Sequence, residues 1–166
     1  VLLIAHPQTS LNVPATLGLS MQFLAEGSPQ TELSDARCAE LVSQLIGQIR
    51  ATRTLRRVLL LPPDYTRFHS AAGLLTCQLH AQLTAQGVTV EILPALGTHF
   101  AMTAAELNSM FPGIPHERFH VHNFRTSIAN LGEVPPDVLE NLSEGRLRGV
   151  TAQAQINRMA VECGWD

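Results

Sequence analysis

The sequence contains no lysine: all 11 basic side chains among its 166 residues are arginines. This absence excludes a P-loop lysine, a Schiff base and any other covalent lysine adduct within these residues. Arginine stays charged at physiological pH and grips a carboxylate or a phosphate through two N–H donors. An acidic ligand of this chain would therefore meet arginine rather than lysine.

Cysteines are few, and long apolar runs and net positive charge are absent. The three cysteines are an odd number, lie far apart and form no CxxC pair, which fits a reduced cytoplasmic setting. No apolar run approaches the ~20 residues that span a bilayer. The net charge of −3 argues against nucleic acid or an anionic membrane as a partner. Apolar residues make up 45% of the chain, which is enough for a single domain over 1–166 with a real core.

Hydrophobic spacing predicts an α/β fold that is Rossmann-like, with a mainly parallel sheet and helices on both faces. Its centre is a βαβ unit made of strand 58–61, helix 70–86 and strand 88–93. Residues 1–5 are predicted to form an edge strand, and 119–122 a third strand. The sheet is expected to be covered on both sides because the central strands are almost continuously apolar.

Capping signals define the helices. Apolar residues recur at helical spacing over 35–50, where Ser34 is a suitable N-cap, and Ser70 is the simplest N-cap for the helix that follows it. Residues 103–106 form a capping-box pattern that opens a short helix over 104–110.

The last third of the chain is harder to assign. Residues 130–149 are predicted to be rich in loops, with a short helix near 137–143. Residues 151–162 have mixed periodicity and support no assignment.

Two motifs follow the central strands: Asp-Tyr-Thr-Arg at 64–67 and Gly-Thr-His at 97–99. Ligands of parallel α/β sheets bind beyond the carboxyl ends of the strands, so Arg67 and His99 are expected to line one binding site at that edge of the sheet. Arg67, held by Asp64, suits a small carboxylate or a phosphate, and a histidine is the natural general base. The simpler alternatives are an Asp–Arg pair that braces the loop and a histidine that only bonds a loop carbonyl.

Two other constellations are weaker. His120 and His122 share a face of the predicted third strand, and His116 approaches from the preceding turn, as in a zinc site. No carboxylate or cysteine lies at the usual ligand spacing, so surface histidines are favoured over a metal site. Ser70 would complete a hydrolase triad with the histidine and aspartate of the two motifs, but the GxSxG elbow is missing.

The paired motifs resemble the N-terminal domain of the nickel-dependent lactate racemase family. That family shows D-x-T-R-P followed, at similar separation, by G-T-H-R-P-M-T-x-x-E-L, and the second pattern continues here through residues 102–107. A weaker similarity runs from about residue 27 to Arg158, where residues 156–158 resemble a family I-N-R segment.

The resemblance implies a racemase or epimerase of small 2-hydroxy acids that uses a nickel-pincer nucleotide. In such enzymes a hydride leaves the substrate Cα for the cofactor ring and returns on either face, while two histidines take and return the hydroxyl proton. The resemblance assigns the first catalytic histidine to His99 and the arginine that binds the substrate carboxylate to Arg67. It assigns cofactor-binding positions to Asp64, Thr66, Gly97 and Thr98.

The chain also departs from the family pattern. Phe68 replaces a proline, residues 100–101 replace Arg-Pro, and residues 123–125 replace Asn-His-Asp. The second histidine, the cofactor-linking lysine and the nickel-ligating histidine are expected beyond Asp166, in a larger protein whose C-terminal domain closes over the site. Residues 1–166 alone are therefore expected to be inactive.

The alternative function is a non-catalytic domain that kept the fold and binds a carboxylate or a nucleotide phosphate. Phe100 and Phe124 favour this alternative because they place apolar rings where the family has polar side chains.

Overall fold

A computed structural model describes residues 2–3 and 24–166 of the chain, which form a mixed α/β fold. The strands are β1 (Leu2–Leu3), β2 (Arg57–Leu61), β3 (Thr89–Ile92), β4 (Ile128–Val134) and β5 (Ala152–Asn157). The α-helices are α1 (Asp35–Thr52), α2 (Ala72–Ala85), α3 (Ala104–Met110), α4 (Pro136–Leu142) and α5 (Met159–Glu162). Two 3-10 helices span Tyr65–Ser70 and His116–Arg118. None of the described helices combines the length and apolar character that crossing a membrane requires.

β2 is the central strand of a sheet with the order β1-β2-β3. β3 is parallel to β2, with Val58 opposite Val90, and this pairing confirms the predicted βαβ unit. β1 is antiparallel to β2, which confirms an edge strand at Leu2–Leu3; the rest of the strand predicted over 1–5 lies outside the described residues. The described sheets are small, and one of the two paired neighbours of β2 is antiparallel.

β2 sends its side chains into two apolar layers. Val58 and Leu60 are buried in a cluster with residues of α1 and α2, whereas Leu59 packs with Ala160 of α5 and with Trp165. All three strand side chains are at most 1% exposed, so both faces of β2 are closed to water. Burial of this kind contributes about 0.8 kcal/mol for each methylene group and stabilises the strand that carries the first motif.

The helix ends show where local sequence signals hold. α1 begins after Ser34, whose side chain accepts a hydrogen bond from the backbone N–H of Arg37, as predicted. α3 opens with the predicted capping box, in which Thr103 and Glu106 satisfy each other's backbone N–H groups.

The prediction that Ser70 caps α2 is wrong. Residues 65–70 form a 3-10 helix, and Ala71, in the left-handed conformation with φ of 58°, is the residue that precedes α2. The Ser70 hydroxyl, one residue before the N-cap position, donates to the Arg67 carbonyl at 2.7 Å and accepts a longer hydrogen bond from the Ala72 N–H at 3.4 Å. The loop after β2 is therefore itself helical, which a search for capping residues does not detect.

The third strand predicted over 119–122 is also wrong. Only Phe119 pairs with the sheet, through a parallel bridge to Ile92, and the His120 N–H donates to the Ile92 carbonyl at 2.8 Å. Asn123 then accepts hydrogen bonds on its side-chain oxygen from the backbone N–H groups of Arg125 and Thr126. Such an Asn turn redirects the chain after residue 122. The ladder ends after one bridge because Pro94, two residues after Ile92, has no N–H to donate.

β4 and β5 form an antiparallel pair that the sequence did not predict. Ile128 lies opposite Asn157, and the register shifts between Asn130 and Gly132. The shift and the partial burial of both strands remove the regular alternation that marks a strand. α4 follows β4 and precedes β5 in the chain, and it confirms the predicted short helix near 137–143.

The close packing of α2 on α3 makes a testable prediction about glycine. A Cβ at Gly73 would lie 2.3 Å from the backbone oxygen of Met110, whereas a Cβ at Gly47 in α1 would meet nothing within 4 Å. Gly73→Ala is expected to lower the free energy of unfolding by about 1–3 kcal/mol through overpacking. The matched control Gly47→Ala should raise it by about 0.5–1 kcal/mol because alanine favours a helix. Urea unfolding measures both; a Gly73→Ala variant as stable as the original chain would contradict this contact.

Candidate functional site

The two motif loops leave the sheet side by side. Pro63 and Ala95, which lie just after the ends of β2 and β3, form a parallel bridge. The Ala95 N–H donates to the Pro62 carbonyl at 2.8 Å. Asp64 follows the first of these segments directly, and the turn that carries His99 follows the second. The parallel pairing of β2 and β3 thus continues far enough to place the two motifs together.

A tight turn then directs His99 back towards the first loop. Gly97 has φ of 58°, and the His99 N–H donates to the Leu96 carbonyl at 2.9 Å. A residue with a side chain pays about 1–2 kcal/mol in this left-handed conformation, so glycine is the suitable residue there. Gly97 and Thr98 both lie exposed in this turn.

Asp64 joins the two loops through its buried carboxylate. Its Oδ1 accepts hydrogen bonds from the backbone N–H of Thr66 at 3.1 Å and from the Thr66 hydroxyl at 2.5 Å. Its Oδ2 lies 2.5 Å from Nδ1 of His99. Burial disfavours the charged carboxylate, but the hydrogen bonds from Thr66 and His99 outweigh burial and hold the pKa of Asp64 below its ordinary value of 3.8. Asp64 is therefore ionised at neutral pH.

This contact determines which nitrogen of His99 carries the proton. An ionised carboxylate only accepts hydrogen bonds, so Nδ1 of His99 must donate. In the neutral ring, Nε2 then keeps its lone pair. The His99 side chain is 57% exposed, so this nitrogen is available to an external proton donor. The pair is a carboxylate-oriented imidazole of the kind that works as a general base.

A cavity of about 300 Å³ opens beside the Asp64–His99 pair, at the lower end of the range for small-molecule sites. Its walls are Asp64, Tyr65, Thr66, His99, Phe100, Ala101, Met102, Thr103 and Glu106. The Glu106 carboxylate is already occupied, because its Oε2 accepts from the backbone N–H of Thr103 at 2.7 Å. The imidazole of His99 is therefore the group in this cavity that is best placed to exchange a proton with a ligand.

Arg67 lies on the same 3-10 helix as Thr66 but is not one of the residues that line this cavity. Its side chain is exposed, and within residues 2–3 and 24–166 its guanidinium forms no hydrogen bond or ion pair. The backbone N–H of Arg67 donates to the Asp64 carbonyl at 3.0 Å. Asp64 therefore holds the arginine through the main chain, while its carboxylate serves Thr66 and His99.

The other predicted constellations do not assemble. The Ser70 hydroxyl bonds the Arg67 carbonyl and not His99, so the hydrolase triad is wrong. The three histidines of the zinc alternative each contact a different side chain, in the pairs His116–Asn108, His120–Glu91 and His122–Asn157. Among the described residues no group of three or more His, Cys, Asp or Glu side chains is arranged to hold a metal ion.

Sequence reasoning missed the carboxylate of Glu91. It lies on β3 and pairs with Arg118 and with His120, both at 2.9 Å. The signal was present, because Glu91 is the one charged residue in the apolar run 88–93. A half-buried charge in a strand requires a partner. His120 lies in the segment that was predicted to be a third strand, and Arg118 lies in the turn before it.

Comparison with known protein families, with curated proteins and with solved structures found no match for this chain.

The lowered pKa of Asp64 predicts a pH-dependent contribution to stability. Asp64→Asn is expected to lower the free energy of unfolding at neutral pH by about 1 kcal/mol, because it removes charged hydrogen bonds from a buried site. A carboxyl whose folded-state pKa is depressed stabilises the protein above its unfolded pKa and loses this effect as the pH falls through its folded pKa. The difference between the two proteins should therefore persist at neutral pH and shrink only below the ordinary value of 3.8.

Urea unfolding over a pH series measures this difference. The exposed carboxylate Glu117 provides the control, since Glu117→Gln should leave stability unchanged at every pH. A difference for Asp64→Asn that does not shrink in acid would contradict an ionised, hydrogen-bonded Asp64.

Proposed function

We propose that this chain is the proton-transfer and carboxylate-binding part of a 2-hydroxyacid racemase or epimerase similar to lactate racemase, on a Rossmann-like catalytic domain. One observation carries the proposal: Oδ2 of the ionised Asp64 lies 2.5 Å from Nδ1 of His99, just beyond the carboxyl ends of two parallel strands. The paired sequence motifs support the same function. The three cysteines are free, which supports the cytoplasmic setting that is part of this proposal.

His99 is the proton carrier in this proposal. Its Nε2 accepts the proton of the substrate hydroxyl, and the imidazolium that forms is stabilised by the carboxylate of Asp64. Thr66 keeps that carboxylate in place through two hydrogen bonds. In the reverse direction the same nitrogen gives the proton back, while the second histidine, expected beyond Asp166, takes and returns the hydroxyl proton for the opposite enantiomer.

Arg67 binds the substrate carboxylate. Its guanidinium is exposed and has no partner among the residues that the structure describes, so its N–H donors are available. A two-point, charge-assisted pairing fixes the orientation of the substrate as well as its position. Holding the hydroxyl near His99 then lowers the entropic part of the barrier.

The nickel-pincer nucleotide, when bound, supplies the acceptor for the hydrogen on the substrate Cα. Asp64, Thr66, Gly97 and Thr98 are the residues that would border it. These residues can border the nucleotide but cannot attach it or hold its nickel, because the sequence has no lysine and the described residues include no metal-binding group. The proposal therefore assigns covalent attachment and nickel ligation to a C-terminal domain of the same protein.

The test uses the whole gene product, made together with the enzymes that build the cofactor. It is given single enantiomers of 2-hydroxy acids that carry deuterium at Cα, and chiral chromatography with mass spectrometry follows the reaction. We expect inversion with the label retained. His99→Gln should lower kcat by about 100-fold or more, and Arg67→Gln should act mainly by raising KM.

His116→Gln is the matched control, because His116 is an exposed histidine that bonds Asn108 outside this cavity. It should leave both constants unchanged. Absence of inversion across the panel, with cofactor loaded, would refute the proposal. Inversion with loss of deuterium would refute hydride transfer and indicate proton abstraction at Cα.

A second candidate is an anion-binding domain without turnover, and it is favoured by the place of Arg67 outside the Asp64–His99 cavity. In that case glycolate or adenosine monophosphate binds to the chain in calorimetry, and Arg67→Gln abolishes the binding. If the domain only binds anions, His99→Gln leaves the affinity for glycolate unchanged. The enzymatic proposal expects His99 to contact the bound hydroxy acid, so the same substitution should lower that affinity.

A further inference from the structure

A second cavity, of about 380 Å³, lies between the sheet and the β4–β5 hairpin. Leu61 and Leu93 line it from the sheet, and Ile128 and Ile156 line it from the hairpin. Among residues 2–3 and 24–166, none lines both this cavity and the Asp64–His99 cavity. None of the described residues in its wall is an Asp, Glu or Arg. Moving a charged ligand into such surroundings is costly, which restricts the site to uncharged molecules.

The polar group of interest in this wall is His122, and a chain of hydrogen bonds determines its proton position. The backbone N–H of Met159 donates to Oδ1 of Asn157 at 2.8 Å, which identifies the oxygen end of that amide. The Nδ2 end of Asn157 therefore donates to Nδ1 of His122, also at 2.8 Å. Since Nδ1 uses its lone pair as acceptor, the proton of the neutral ring is on Nε2.

Nε2–H of His122 has no hydrogen-bond partner within the part of the chain that the structure describes, and its ring lines the cavity. Phe124 adds an aromatic wall, and the guanidinium of Arg125 lies 4.2 Å from the centre of that ring. The site thus combines apolar and aromatic surface with a few polar groups, Gln155 and the donor that Asn157 orients on His122, which is the usual make-up of a small-molecule pocket.

We propose that this cavity binds a small, uncharged aromatic carbonyl compound, whose ring packs between the sheet and the hairpin and whose oxygen accepts a hydrogen bond from Nε2 of His122. The proposed aromatic-binding site shares Gly97 with the residues that would border the nickel-pincer nucleotide, but it uses none of the side chains proposed to act in the racemase chemistry. It requires neither the cofactor nor a second domain.

The test compares two probes of similar size with opposite hydrogen-bonding character. Acetophenone only accepts hydrogen bonds, and indole only donates one. The unmodified chain should bind acetophenone about 10-fold more tightly than indole, as one hydrogen bond allows. Calorimetry gives the affinities, and shifts of the His122 ring nitrogens in 15N NMR report the tautomer and the contact directly.

Asn157→Asp should reverse this preference. The new carboxylate still accepts from Met159 but no longer donates to His122, so the ring proton moves to Nδ1 and Nε2 becomes an acceptor. In this variant indole should then bind more tightly than acetophenone. If this variant does not fold, His122→Leu tests the same hydrogen bond. It should lower the affinity for acetophenone about 10-fold and leave the affinity for indole unchanged.

Two controls separate site binding from non-specific binding. Ala95→Phe places a ring in the cavity from an exposed position and should abolish the binding of both probes, while circular dichroism shows that the fold is kept. His116→Gln, at a histidine that does not line the cavity, should change neither affinity. The proposal is overturned if the folded chain binds neither probe saturably, or if acetophenone binds equally well after His122→Leu.

Discussion

The parallel pairing of β2 with β3 is the constraint on which the candidate site depends. Its hydrogen bonding extends past both strands, through the bridge between Pro63 and Ala95, before the chains separate. Because of this extension, a carboxylate and an imidazole that are 35 positions apart in sequence come within 2.5 Å of each other. The apolar layers on the two faces of β2 hold that geometry, because they bury the strand from which the first loop leaves.

Two histidines in this fold are set to opposite roles by their neighbours. His99 faces a carboxylate, which accepts from Nδ1 and leaves Nε2 with a lone pair. His122 faces an amide, which donates to Nδ1 and leaves Nε2 with the proton. The same side chain is thus an acceptor in one cavity and a donor in the other. The first arrangement suits proton transfer, and the second suits recognition of a carbonyl oxygen.

Structures that depend on contacts within a few residues were predicted correctly from the sequence. The Ser34 cap and the capping box of α3 are interactions across three residues, so sequence spacing contains all the necessary information. The βαβ unit was also predictable, because its strands are buried on both faces and are therefore continuously apolar. Predictions failed where a distant partner decides the structure. β4 and β5 pair two weakly patterned segments, and the segment predicted as a strand over 119–122 makes a single bridge, from Phe119 to Ile92.

The features of the candidate site also divide into those that the sequence determined and those that only the tertiary structure decided. By itself the sequence determined that arginine would carry every fixed positive side-chain charge, and that an aspartate loop and a histidine turn would follow neighbouring strands. Only the tertiary structure decided that the Asp64 carboxylate bonds His99 instead of Arg67, and that Asn157 bonds Nδ1 of His122. The physical reason is that composition and spacing determine which groups are present and on which element, whereas hydrogen-bond partners depend on distances that arise only when the elements pack.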